Sequence, residues 1–95
     1  MSYQDRAKAI PIDGLYPDLA AMVRELLGWT GYRPWMSTRE ASLKTNVSAS
    51  TIGHMARGDR PSGKNLRAFA EGMGADVTAL FQVADYLPRG SEESL

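Results

Sequence analysis

His54 is the single imidazole in a chain of 95 residues. It stands one helical turn after Ser50 and three residues before Arg57. An imidazole, a hydroxyl and a guanidinium at these intervals suit hydrogen bonding and anion neutralisation. Imidazole nitrogens and hydroxyls can read base edges, and a guanidinium forks onto a phosphate. No cysteine is present, which excludes disulfides, thiolate metal sites and thiol catalysis. One histidine is too few for a histidine-rich metal site, and no nucleophile or carboxylate stands at a catalytic spacing from it. No glycine loop of a phosphate-binding kind appears. The expectation is a protein without enzymatic activity, metal or cofactor.

On a helix turning about 100° per residue, Ala49, Ser50, Gly53, His54 and Arg57 share one face. Thr51, Ile52 and Met55 fall on the other. No acidic residue of the segment interrupts the polar face, as approach to a phosphate-lined groove demands. Gly53 costs a helix about 1 kcal/mol relative to alanine. It marks either close approach to a groove wall or drift tolerated in a short helix. His54 is either a base contact or an ordinary surface residue.

The elements that must position this face follow from caps and breakers. Residues 1–14, with Pro11 and Gly14, show no stable period and read as an N-terminal arm or a loosely docked segment. A first helix begins near Pro17 and carries Leu19, Met22, Val23, Leu26 and Leu27 at helical spacing, with Gly28 ending it. Residues 28–35 form an aromatic loop whose tryptophans are expected to cover the core. Ser37 and Glu40 make a capping box for a second helix. Asn46 suits a left-handed stop, Val47 plugs the core and Ser48 caps the helix 49–57. Gly58 ends that helix. Ser62 caps a fourth, bearing Leu66, Phe69, Ala70 and Met73, and Asp76 caps a last one, bearing Val77, Leu80, Phe81 and Ala84. The chain is expected to be all-α, a bundle of about five helices over residues 15–87, with an acidic flexible tail at 88–95. No run of apolar residues is long enough to span a membrane, and no secretory signal is visible.

Two short helices joined by a three- to four-residue turn make a helix-turn-helix, here residues 37–57. Ala41 and Ser42 are small where the helices cross. Ile52 and Met55 bury the inner side. The charge pattern agrees. Formal net charge is zero. Yet residues 33–67 hold seven cations (Arg33, Arg39, Lys44, Arg57, Arg60, Lys64 and Arg67) against Glu40 and Asp59. A basic middle between acidic ends points to an anionic partner, unless it is a chance fluctuation on a solvated surface.

Residues 37–81 resemble the lambda-repressor-like (Cro/repressor, XRE-type) helix-turn-helix family. The matching features are the plug Val47, the helix 49–56, the following Gly58, the basic-proline stretch Asp59-Arg60-Pro61, and the next helix with its Gly74. The sequence departs from the family in having Asn46 for the usual glycine, Ala41-Ser42 for Leu-Ala and Thr45 for an apolar residue. The link at 28–35 is longer and more aromatic than the family's. The recognition helix lacks the glutamine, arginine or asparagine often used to read bases.

The resemblance implies that Ala49, Ser50 and His54 face base edges, and the turn angles put Gly53 on the same face as a further base contact. The resemblance implies phosphate contacts by Thr38, Arg57, Arg60 and Lys64, with Arg39 and Lys44 either additional contacts or solvated surface charges. It also implies a homodimer on a roughly palindromic double-stranded DNA operator. Phe81, Val83 and Tyr86 are the first candidate dimer surface and the aromatic loop is the second. The expected function is a sequence-specific transcriptional repressor in the cytoplasm. The other reading is a protein-interaction module on the same fold, an antitoxin or a polymerase-binding inhibitor, marked by exposure of Trp29, Tyr32 and Trp35.

Overall fold

The computed structural model describes residues 10–88. The expected tail at 88–95 lies almost wholly outside them, as does the arm before Ile10. Among the described residues the regular elements are five helices, and no strand occurs. They are α1 (Pro17–Leu26), α2 (Thr38–Thr45), α3 (Ala49–Arg57), α4 (Gly63–Met73) and α5 (Val77–Val83).

Local chemistry sets most of the ends. Ser37 and Glu40 form the reciprocal capping box of α2, the serine accepting from Glu40 N at 3.1 Å and the carboxylate from Ser37 N at 3.3 Å. Ser48, Ser62 and Asp76 each accept from the third helical residue of α3, α4 and α5. Asn46, Gly58 and Gly74 close α2, α3 and α4 in the left-handed conformation. Helix α1 has Pro17 at its start, but Tyr16 supplies no side-chain cap.

The core gathers one apolar stripe from every helix. Leu19, Val23, Ile52, Met55, Leu66, Phe69 and Leu80 are fully buried, together with Leu27 and the plug Val47. Helix α3 packs on both α1 and α2, α2 packs on α4, and α5 packs on α4 and α1. A Cβ on Gly72 would come within 2.8 Å of the Thr45 Cα, so α2 and α4 touch there almost backbone to backbone. Thr45 is buried at the end of α2. Its hydroxyl donates to Ala41 O at 2.7 Å and accepts from Val47 N at 3.2 Å, so the turn between α2 and α3 is satisfied internally.

Residues 10–14 are docked on the helical body. Arg24 donates to Ile10 O, Gly14 N donates to Arg57 O and Tyr16 N donates to Gly58 O, so this stretch lies bound across the end of α3. The packed body thus takes in residues 10–14. The aromatic loop divides unequally. Trp29 is buried, donates to Met36 O and stacks on half-buried Trp35 at 6.3 Å between ring centres, while Tyr32 is 85% exposed.

Candidate nucleic-acid interface

Helix α3 is held at both ends and along its inner side. Ser48 caps its start, Ile52, Met55 and Ala56 are inaccessible, and three neighbours satisfy its last carbonyls. The Gly58 amide closes back on Met55 O and the Arg24 Nε donates to Ala56 O at 2.7 Å. Gly14 N bonds Arg57 O at 2.9 Å. What remains outward is the face read from the turn angles. Ser50, His54 and Arg57 are exposed, while Ala49 and Gly53 are partly covered. A Cβ on Gly53 would meet no atom within 4 Å, so nothing in the fold itself requires glycine there.

The electrostatics of this face differ from the reading of α3 alone. The helix carries no acid, yet two carboxylates from outside it stand against its basic groups. Asp13 accepts from Arg57 Nη2 at 2.8 Å and from Nε at 3.4 Å. This two-point bond holds the Asp13 carboxyl below its ordinary range and pushes the Arg57 guanidinium higher still. Asp59 lies 3.4 Å from His54 Nδ1. Sequence reasoning missed Asp13 because it pairs across 44 residues. The only local signal was the breaker Gly14 beside it.

Arg60 is likewise engaged. It donates to Ala84 O at 3.2 Å, and its guanidinium lies 5.2 Å from the Tyr16 ring and 4.5 Å from the Tyr86 ring. Tyr86 in turn donates to Pro61 O at 2.6 Å. Arg60 thereby ties the end of α5 to the start of α1. Lys64 is exposed in the first turn of α4. Thr38 is half-buried at the first position of α2, with exposed Arg39 beside it and exposed Lys44 in that helix's last turn. His54 and Arg60 share one shallow hollow with Thr51, Ser62 and Asn65, whereas Thr38 and Arg39 belong to the start of another helix.

Arg24 is the second residue that the sequence reading undervalued. Its guanidinium bonds Ala56 O and Ile10 O and lies 5.9 Å from the Trp29 ring, and burial lowers its pKa. A faint signal existed: position 24 falls four residues after Ala20 and three before Leu27, at the rim of the apolar stripe. Of the candidate dimer surface, Phe81 and Val83 are half-buried, and exposed Tyr86 is bound to Pro61 and Arg60.

Among the described residues no helix is long and apolar enough to cross a membrane, and no group of His, Asp or Glu is gathered as a metal site. Comparison with protein-family models, curated proteins and solved structures finds no significant match.

Proposed function

We propose that this chain is a sequence-specific double-stranded DNA-binding regulator, a repressor, in which α2 and α3 form a helix-turn-helix and α3 enters the major groove. The carrying observation is the outward strip of α3. It combines a hydroxyl, an open glycine and an imidazole on a helix whose inner side and both ends are fastened. The left-handed Asn46 and buried Val47 between two packed helices support the same reading, as does the resemblance carried by residues 37–81.

On this reading Ala49, Ser50, Gly53 and His54 meet base edges. Thr38 and Lys64 hold phosphates, with Arg39 and Lys44 in support. Arg57 reaches a phosphate only in competition with Asp13, and Arg60 adds charge from a fixed position. Short readers make DNA shape and paired half-sites important to specificity. A homodimer acting in the cytoplasm on a roughly palindromic site completes the proposal.

The test is selection of genomic fragments by the purified protein, followed by salt titration on the best fragment. A palindromic site with a slope of log K against log salt of about −5 to −7 per dimer is expected if three or four cations per subunit meet phosphates. A His54→Ala variant should change base preference at one position of each half-site. Absence of any enriched site, with weak binding to all DNA, would overturn the reading in favour of a protein partner.

A further inference from the structure

The C-terminal end of α3 is overlaid by a backbone latch. Gly14 and Gly58 sit back to back, and a Cβ on Gly14 would overlap the Gly58 carbonyl. Gly58 is left-handed at φ 100°. Hydrogen bonds from Gly14 N and Tyr16 N to the last carbonyls of this end, and from Arg24 to Ile10 O, pin residues 10–16 in place. The consequence is that Asp13 is carried to Arg57 on backbone that stays with α3. Its carboxylate occupies the Nε and Nη2 edge of the guanidinium. Both members of the pair remain about half open to solvent, 44% for Arg57 and 52% for Asp13, so another anion can reach them.

Resting on the DNA-binding reading above, we propose that Asp13 is an internal substitute for a DNA phosphate on Arg57, and that it limits how tightly the α3 face binds DNA. A phosphate arriving at the Nε and Nη2 edge must displace the carboxylate. A phosphate arriving at Nη1 meets a neutralised cation with a like charge beside it. Both approaches are opposed by Asp13, so the sign of its effect does not depend on which edge DNA uses. The exchange involves side chains alone, since the latch backbone is bound to α3 independently of the carboxylate. Asp59 beside His54 acts in the same direction at the neighbouring position. Arg57 and His54 thus each have a carboxylate beside them before any DNA arrives.

The test compares wild type, Asp13→Asn and Asp13→Ser on a random-sequence DNA duplex and on the best selected fragment, each over a salt series, with folding followed by far-UV circular dichroism. Either variant should bind about two- to fivefold tighter per subunit, the range set by loss of an exposed ion pair. The magnitude of the salt slope should rise by about 0.9 per subunit as Arg57 becomes free to release a counterion. Arg57→Gln combined with Asp13→Asn should remove most of the affinity gain and the extra slope. Binding by wild type that Asp13→Asn and Asp13→Ser leave unchanged or weaken would overturn the role given to Asp13 and leave the DNA-binding reading standing. Lack of DNA binding by wild type and by both variants would overturn the two together. A misfolded Asp13→Asn leaves Asp13→Ser to decide.

Discussion

Arg24 donates to the carbonyl of Ala56, 2.7 Å away and 32 residues later in the chain. The same guanidinium bonds Ile10 O. One side chain from α1 therefore fastens both α3 and the segment laid across its end. Replacing it with methionine keeps the apolar stem and leaves two carbonyls without a charged donor. We predict that Arg24→Met loses about 2–3 kcal/mol of stability in urea unfolding. A loss within experimental error would show that water replaces the guanidinium freely.

Gly53 and Gly72 should respond in opposite ways to alanine. The Gly53 site is open and helical, so Gly53→Ala should raise stability by about 1 kcal/mol. If α3 approaches a groove wall closely there, the same variant should bind DNA more weakly despite folding better. Thermal melts and binding isotherms on one preparation read both effects.

At Gly72 an added methyl meets the Thr45 backbone at 2.8 Å. Gly72→Ala should therefore force α2 and α4 apart and cost about 1–3 kcal/mol. An unchanged denaturation midpoint would mean that the helices separate without penalty.

Arg60 is predicted to matter for folding before it matters for DNA. Arg60→Ala removes the cation between Tyr16 and Tyr86 and the bond to Ala84 O, and should lower stability by about 1 kcal/mol. Arg60→Lys should restore charge while recovering only part of the stability, because an ammonium lacks the planar fork. Full rescue of the melting temperature by lysine would refute the stacking role.

The Asp13 pair has a defined pH signature. Its carboxyl is depressed in the folded state, chiefly by the hydrogen bonds from Arg57. Such a group stabilises the fold above the unfolded carboxylate pKa of about 3.9 and loses that contribution as pH falls through the lower folded value. The stability difference between wild type and Asp13→Asn should therefore be constant at neutral pH and close in strong acid. A difference that widens on acidification would contradict the sign.

The parts of this architecture legible in the sequence are those decided within a few residues. Ser37 with Glu40, Ser48, Ser62, Asp76, Asn46, Gly58 and Gly74 set helix ends through bonds three or four positions long, and each stands where local chemistry puts it. The outward face of α3 was legible for the same reason, since helical periodicity alone separates Ser50 and His54 from Ile52 and Met55. What was not legible depends on distant chain. Asp13 finds Arg57, Arg24 finds Ala56, Arg60 finds Ala84 and Gly72 finds Thr45, and no periodicity links such pairs. Three of these four pairings involve an arginine, whose length lets it reach a neighbour that its own element does not specify.

The stacked indoles of the loop have a consequence for how the molecule can be watched. Trp29 and Trp35 are the chain's two tryptophans, so its tryptophan emission arises from one small spot. That spot touches the α3 anchor through Arg24, 5.9 Å from the Trp29 ring. A local opening that frees the end of α3 should thus alter emission intensity while far-UV ellipticity stays constant. Non-coincident fluorescence and ellipticity transitions would give an optical handle on the latch in unlabelled protein.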